Sequence, residues 1–284
     1  MRKAEAPAIL AHLGQPCLGD ASFARWVAPM RRATWRFRGS PRNVTLGSVP
    51  DSAYDLVELR RYAMRPGCRD TLIALFERAF IETQEAAGMV PVGHYRDLDD
   101  PDSYVWFRGF PQRAGRHDAL EAFYTSPTWL EHRNDANATL LDSDNVLLLR
   151  AARAGSGFDL EGLVRPAVTE SAAESFVVVF LFMLDGPPGE GFVSAFEHDV
   201  VSVVRDHARR VAAFVTDEYA NDYPRLPVRE GEWAAVVLGI AADADALAAC
   251  VGAFEDAGLR PELQRHVKSR ETLRLAPASR SLFR

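Results

Sequence analysis

Two stretches of this 284-residue chain carry the same series of apolar segments, and this repetition constrains the fold more than any other feature. Each stretch holds four strand-like runs, at 55–64, 89–97, 103–110 and 145–152 in the first and at 175–184, 210–218, 232–241 and 271–277 in the second. Val57 precedes Val177 by 120 positions and Tyr104 precedes Trp233 by 129, so the second copy has one longer loop. A regular offset of this kind predicts a duplicated structural unit.

Helical segments separate the strands in a fixed pattern. Apolar residues recur at helical spacing in four places, at 65–88, 113–140, 191–208 and 245–267. Each copy therefore has the order β-α-β-β-α-β, which predicts an α+β protein made of tandem ferredoxin-like repeats at 51–153 and 175–284, joined by a linker at 154–174. One repeat leaves a sheet face uncovered. Two repeats can bury these faces against each other, which predicts a barrel-like core with helices outside it.

The N-terminal segment differs from the rest of the chain in charge and pattern. Residues 1–49 contain eight Lys or Arg and two acidic residues, and their tryptophans and prolines follow neither a helical nor a strand period. We expect residues 1–50 to form a loosely ordered basic extension.

Composition excludes several partners and compartments. The chain has a net charge of -6, which argues against a nucleic-acid surface. Its longest apolar run, 176–184, is too short to cross a bilayer, so no membrane contact is expected. The N-terminus lacks a secretory pattern, and the three cysteines are far apart and read as reduced thiols. These features together predict a cytoplasmic protein.

Four stretches carry a family resemblance. "VELRRYAMRPG", "HYRDLDDPDSYVWFRGFP", "AFYTSPTWLEHRNDANATLLDSDNVLLLR" and "NDYPRLPVREGE" resemble a bacterial NIPSNAP family protein of the tandem type, from about residue 55 to the end. The resemblance implies a dimeric α/β-barrel fold, closed here by two repeats within one chain. Members of that family have no agreed biochemical activity, so the resemblance informs the fold more than the function.

Strand alternation groups the candidate site residues of the first repeat. The predicted shared faces carry Glu58, Arg60 and Tyr62 on strand one, His94 and Arg96 on strand two, and Tyr104, Trp106 and Arg108 on strand three. The opposite face of strand three, with Val105 and Phe107, suits packing under helices. We therefore expect the polar and aromatic faces to line a small-molecule pocket in the barrel interior.

Two functions of different classes fit such a pocket. The first is a cofactor-independent oxygenase or isomerase acting on an aromatic or enolisable compound, as the resemblance to the wider barrel group suggests. His94 would then be the catalytic base and Arg108 the clamp for the resulting anion. The second is a non-catalytic binding or assembly protein, in which His94 is a structural residue and Glu58 pairs with arginines. Self-association as a homo-oligomer stays open.

A long loop of the second repeat is a candidate cover for the pocket. Tyr219, Asn221, Tyr223 and Arg225 lie in the segment between its second and third strands, and they could close over a ligand. The alternative is that Pro224 and Pro227 only stiffen an edge crossing.

Other patterns give weaker signals. The aspartates of "RDLDDPDS" are typical of a tight turn rather than a calcium loop, since the segment contains Pro101 and no glycine. No zinc motif is present, and no metal or cofactor is predicted. A haem ligand from His94 or His132 is left open, because some relatives in the wider fold group bind haem.

Overall fold

The computed structural model describes residues 54–168, 171 and 173–284, which contain eight strands and several helical segments. The predicted N-terminal extension, 1–50, lies outside these residues. The strands are β1 Leu56–Met64, β2 Val90–Asp97, β3 Ser103–Phe110, β4 Leu140–Ala151, β5 Phe176–Leu184, β6 Val211–Thr216, β7 Trp233–Ala241 and β8 Val267–Pro277. Their order along the chain agrees with the sequence prediction. β4 and β8 begin earlier than expected.

The helices lie between these strands, and several are shorter than the sequence predicts. They are α1 Arg69–Leu75, α2 Ile81–Ala86, α3 Arg116–Tyr124, α4 Pro127–Ala138, α5 Glu190–Phe196, α6 Ser202–His207, α7 Ala244–Ala257 and α8 Pro261–Gln264. Local chemistry sets their ends. The Ser126 hydroxyl accepts a hydrogen bond from the Trp129 N–H at the start of α4, and Gly88 adopts a positive φ of 95° after α2.

A π-helical turn interrupts the first long helical run of each half of the chain. It covers Phe76–Phe80 between α1 and α2, and Glu197–Val201 between α5 and α6. π-helical turns are rare and often occur at functional sites. Because both halves contain one, this turn is a feature of the fold and does not by itself distinguish a site.

The strands close into one antiparallel barrel. Their order around it is β1-β3-β2-β8-β5-β7-β6-β4. The first half contributes four neighbouring strands in the order β4-β1-β3-β2, and the second half contributes β8-β5-β7-β6. Short pairings join the halves, with Tyr95 opposite Pro277 where β2 meets β8 and Leu149 opposite Thr216 where β4 meets β6. A closed barrel leaves no unpaired sheet edge between the halves.

The barrel interior is filled by apolar side chains from all eight strands. They include Val57, Leu59, Val92, Tyr95, Val105, Phe107, Leu147, Leu149, Val177, Val179, Leu181, Ala212, Phe214, Val236, Leu238, Leu273 and Leu275. Gly93 of β2 is needed here, because a β-carbon at this position would lie 1.9 Å from the Tyr95 hydroxyl. The outer faces of the strands pack against helices, in one layer for each half.

The segment between the two halves also contributes to the barrel. Phe158 lies in the predicted linker, and its ring packs 4.9 Å from Phe214 and 5.1 Å from Phe283, measured between centroids. Phe158 and Phe283 are both buried, so the linker and the C-terminus help to fill the interior.

Cys250 is a buried free thiol. Within the described residues, no helix combines the length and apolarity that crossing a bilayer requires.

Candidate functional site

The polar strand faces of the first half lie beneath its helices, outside the barrel. The expectation that Glu58, Arg60, Tyr62, His94, Arg96, Tyr104, Trp106 and Arg108 line the barrel interior is therefore wrong. Tyr104 and Trp106 pack with Phe76 and Phe80 of the helical layer, whereas the alternate residues of the same strands fill the barrel. The physical reason is that the barrel interior is already filled by apolar side chains, including Phe107 and Phe214, so it has no room and no partners for the charged ones.

A buried carboxylate surrounded by three arginines forms the first part of this layer, which we call the Glu58 cluster. It consists of Glu58, Arg60, Arg108 and Arg116, and each side chain is at most 1% exposed. Glu58 Oε2 accepts hydrogen bonds from Arg60 Nη1 at 2.7 Å and from Arg108 Nη2 at 2.5 Å. Its Oε1 accepts one from Arg116 Nε at 2.9 Å. One anion thus holds three guanidinium groups.

The Glu58 cluster contains one acid and three arginines, and this excess of positive charge determines the protonation state of Glu58. Burial alone would raise the pKa of Glu58, but Arg108, Arg60 and Arg116 outweigh it and hold the pKa well below its usual range. Glu58 is therefore ionised and unsuited to proton transfer. Asp222 forms a further ion pair with Arg116, so three cations and two anions leave one positive charge in excess.

The second part of the layer contains buried polar atoms without partners, in what we call the His94 cluster: His94, Tyr104 and Trp106. Both ring nitrogens of His94, the Tyr104 hydroxyl and Trp106 Nε1 are buried, and none has a hydrogen-bond partner among the described residues. Their rings surround Phe76, at centroid distances of 5.3, 6.0 and 5.0 Å. An unsatisfied buried polar group costs about 1–3 kcal/mol, so three together require an explanation.

Trp106 connects the two clusters. The guanidinium carbon of Arg108 lies 5.2 Å from its ring centroid and that of Arg60 lies 5.5 Å away, which are cation–π distances. Tyr62 packs edge-on against Trp106 at 5.9 Å and accepts a hydrogen bond from Arg60 Nε at 2.9 Å. Positive charge therefore lies directly beside the unpartnered donors.

The environment of His94 keeps its imidazole neutral. Burial lowers its pKa to about 3, and the positive charges of Arg165, Arg96 and Arg280 lower it in the same direction. A neutral imidazole is the form that a general base requires, but its low proton affinity makes it first a hydrogen-bonding group. Burial also raises the pKa of Tyr104, so its hydroxyl keeps its proton.

The corresponding layer of the second half provides an internal comparison. There β5 presents Val178, Phe180 and Phe182 to the helices, and β7 presents Ala235 and Val237. This layer is a hydrophobic core of ordinary type. The fold therefore does not require charged or hydrogen-bonding side chains at these positions, and the polar layer is specific to the first half.

A loop of the second half covers the polar layer of the first. Residues 217–232, the cover loop, connect β6 to β7. Arg116 donates to Asn221 Oδ1 at 3.1 Å, and the Tyr223 hydroxyl donates to Glu121 at 2.9 Å. Tyr223 is buried, whereas Arg225 contacts Glu121 from an exposed position. These contacts place the loop over the first half, where the sequence proposed a cover.

The clusters differ from the predicted site in two ways. Arg96 was predicted but joins neither cluster, because it lies at the partly exposed edge of the layer and donates to Asp70 at 2.7 Å. Arg116, Gln84 and Glu77 contact cluster residues but were not predicted. Arg116 lies in helix α3, far along the chain from Glu58, and no motif or period marks it as the third arginine.

The aspartate-rich segment is a turn, as expected. β2 ends at Asp97, whose Oδ1 accepts hydrogen bonds from the N–H groups of Asp99 and Asp100. This is the local geometry that favours aspartate in turns. No group of three or more His, Cys, Asp or Glu residues in the described ranges is arranged to hold a metal ion.

Comparisons with solved structures identify the fold. An anthrone oxidase-like protein is 11% identical over 78% of this chain and 91% of its own, with a TM-score of 0.51. A candidate monooxygenase from Fusobacterium nucleatum subsp. nucleatum is 8% identical over the same shares, with a TM-score of 0.50. A NIPSNAP domain protein from Burkholderia xenovorans aligns with 33% of this chain at 15% identity and a TM-score of 0.30.

The chain shares the fold of the first two of these proteins, an α+β fold with a closed barrel of eight antiparallel strands among the described residues. At this level of identity the likeness describes the fold alone. No family model and no curated protein matches the chain.

Proposed function

We propose that the protein binds a small aromatic or enolisable compound in the helix–sheet layer of its first half. The observation that carries this proposal is the His94 cluster, three buried side chains with unpartnered polar atoms around one aromatic ring. A ligand with an aromatic body and an oxygen atom would satisfy them. The adjacent excess of positive charge favours a ligand oxygen that carries negative charge, such as a phenolate or enolate.

Within this proposal the predicted residues have separate roles. The Tyr104 hydroxyl and Trp106 Nε1–H donate hydrogen bonds to the ligand oxygen, and His94 accepts one from a ligand hydroxyl or an acidic C–H. Arg60 and Arg108 supply positive potential from behind Trp106, since their own hydrogen bonds go mainly to Glu58. Arg108 is therefore a fixed charge rather than a free clamp. No cofactor is part of the proposal.

The proposal also covers the domain organisation of the chain. We infer that residues 51–153 and 175–284 are tandem ferredoxin-like repeats of NIPSNAP type, joined by a linker at 154–174. The strand order within each half and the repeated π-helical turns support this. We also propose a cytoplasmic location.

The Tyr104 hydroxyl provides the cleanest test of binding. Purified protein is screened by native mass spectrometry against simple phenols and tricyclic ketones, with anthrone as the first probe, and molecules released on denaturation are identified. Tyr104→Phe removes one unpartnered hydroxyl and should weaken binding about 3- to 10-fold, the loss of one hydrogen bond. Tyr95→Phe is the control, since that hydroxyl lies in the barrel and donates to the Phe283 carbonyl.

Two results would overturn the binding proposal. One is equal affinity for the best probe in the wild type and Tyr104→Phe. The other is the absence both of probe binding and of any molecule released from the purified protein.

A second candidate function is oxidation without a cofactor. The fold likeness to an anthrone oxidase-like protein and to a candidate monooxygenase favours it. With anthrone, the ring methylene would lose a proton to His94, and the carbanion would add O₂ and take that proton back from His94 to form a hydroperoxide. Loss of water then gives anthraquinone, with one O₂ consumed and one water formed for each anthrone.

An oxygen electrode separates the two functions. An oxidase consumes O₂ with anthrone above the uncatalysed rate, and His94→Ala abolishes the excess. His132→Ala is the matched control, because His132 also lies against the helical layer but outside the His94 cluster. Binding of anthrone without excess O₂ consumption identifies a binding protein.

A further inference from the structure

The C-terminal segment, residues 278–284, is attached to the strand that carries His94. The Ser281 hydroxyl accepts a hydrogen bond from the His94 N–H at 3.0 Å and donates to the His94 carbonyl at 2.7 Å. The N–H of Ala278 also donates to that carbonyl, at 2.9 Å, and Ser281 is fully buried. The backbone on both sides of the imidazole is thus fixed by residues from the far end of the chain.

The same segment holds the carboxylate of Glu77. Glu77 lies in the π-helical turn Phe76–Phe80, above the sheet. Its Oε2 accepts a hydrogen bond from the Ser279 hydroxyl at 2.7 Å, and its Oε1 accepts one from the Arg280 N–H at 2.9 Å. Arg280 also donates from Nη1 to the Glu77 carbonyl at 2.7 Å. Both ends of Glu77 are therefore tied to the C-terminal segment.

These attachments bring Glu77 towards the imidazole. Glu77 Oε1 lies 3.6 Å from His94 Nε2, with the histidine fully buried and Glu77 12% exposed. This separation is slightly beyond a hydrogen bond, and a movement of well under 1 Å would complete one. The carboxylate approaches the ring at Nε2, so Nδ1 is the ring nitrogen turned away from Glu77.

We propose that Glu77, held by the C-terminal segment, is the positioning residue for His94. Its carboxylate accepts a hydrogen bond from Nε2–H, which fixes the tautomer and ring orientation and leaves Nδ1 as an acceptor for a hydroxyl or an acidic C–H of the ligand. Carboxylates orient histidines in this way in metal sites and in catalytic triads. Residues from the second half of the chain thereby complete a site in the first half.

This inference rests on the proposed function, because it names the group that orients the proposed ligand-binding histidine. Its test uses the protein without ligand, so the two can fail separately. Loss of the ligand proposal leaves the Glu77–His94 geometry measurable. Conversely, a ligand can bind while the tautomer proves independent of Glu77.

The experiment is nitrogen-15 and proton NMR of the histidine rings in the full-length protein, with His94 assigned through His94→Gln. In the wild type, we expect a slowly exchanging ring proton on Nε2 of His94, shifted downfield by the charged carboxylate. Glu77→Gln keeps the shape and removes the charge, and should move this resonance upfield. Ser279→Ala, which frees one carboxylate oxygen, should move it in the same direction by less.

Glu197→Gln is the matched control, because Glu197 lies in the corresponding π-helical turn of the second half and pairs with Arg205. It should leave the His94 resonance unchanged. Two results would overturn the inference: a ring proton on Nδ1 in the wild type, or a His94 resonance that is the same in Glu77→Gln and in the wild type.

Discussion

Replacing Glu58 with glutamine should destabilise the protein by about 3–5 kcal/mol, the usual cost of removing one member of a buried ion pair. The substitution keeps the shape of the side chain, removes its charge and replaces one acceptor oxygen with an amide N–H donor that cannot accept from an arginine. Arg60, Arg108 and Arg116 then remain buried around a neutral amide, and Asp222 is the only anion still paired within the group.

The magnitude follows from the burial of the cluster. Glu58, Arg108 and Arg116 are 0% exposed, so water does not screen the uncompensated charges. For proteins of 150–250 residues, 1 kcal/mol shifts the melting temperature by about 2–4 °C. A loss of about 3–5 kcal/mol therefore lowers it by roughly 6–20 °C.

Urea unfolding followed by circular dichroism measures the free energy of unfolding of each variant. Glu271→Gln is the matched control, because Glu271 accepts a hydrogen bond from Arg61 at a similar distance, 2.8 Å, but is 44% exposed. An exposed pair contributes about 0–1 kcal/mol. A loss at Glu58 no larger than the loss at Glu271 would refute the claim that the cluster is a buried, charge-dependent core.

The same variant has a defined pH dependence. Burial opposes ionisation of Glu58, but the three arginines prevail and hold its folded-state pKa well below the value near 4.3 of an unfolded chain. Its contribution is fully present above that value and is lost as the pH falls towards the folded-state pKa. The difference in unfolding free energy between wild type and Glu58→Gln should therefore be constant from about pH 5 to 8 and shrink in acid.

Three further substitutions test the fold and the cover loop. Gly93→Ala places a methyl group against the Tyr95 ring inside the barrel and should lower the unfolding free energy by about 1–3 kcal/mol. Gly252→Ala, in an open helical position, should raise it by up to about 1 kcal/mol, and equal effects of the two would contradict the packing described. Tyr223→Phe removes the hydrogen bond to Glu121 and should speed hydrogen exchange in the cover loop, while exchange in the barrel strands stays unchanged.

Much of the fold was accessible from the sequence because periodicity reports it directly. The strands other than β4 and β8 are short runs with two buried faces, and the offset of 120 positions between Val57 and Val177 predicted the same order of elements in both halves. The π-helical turns and the break between α3 and α4 were not predicted. They depend on packing against the sheet, which a helical period in the sequence does not record.

The direction of the strand faces was not predictable by the same reasoning. Alternation separates the Glu58 side of β1 from the Val57 side, but both sides are buried, one in the barrel and one under the helices. The usual association of polar residues with an interior pocket gave the wrong choice. The Glu58 face lies under the helices because Arg116, which belongs to a helix and not to the sheet, helps to neutralise Glu58 there.

The candidate site was predicted in part. His94, Tyr104 and Trp106 were grouped correctly because neighbouring strands bring residues of equal parity together. Glu77 and Ser281 were missed, since their contacts with His94 depend on where the C-terminus folds back. Such long-range contacts have no signature in a single sequence.

The indole N–H of Trp106 tests the central claim most directly, because it is a buried donor in the proposed binding layer with no partner among the residues that the structure describes. Proton–nitrogen correlation spectra resolve the tryptophan indoles, and Trp106→Phe assigns the one of interest. On titration with the best-binding phenol or ketone, we predict that the Trp106 resonance moves downfield as it gains an acceptor. Trp233, at the start of β7 in the second half, should not move. A bound ligand that leaves Trp106 unmoved while shifting Trp233 would contradict the account.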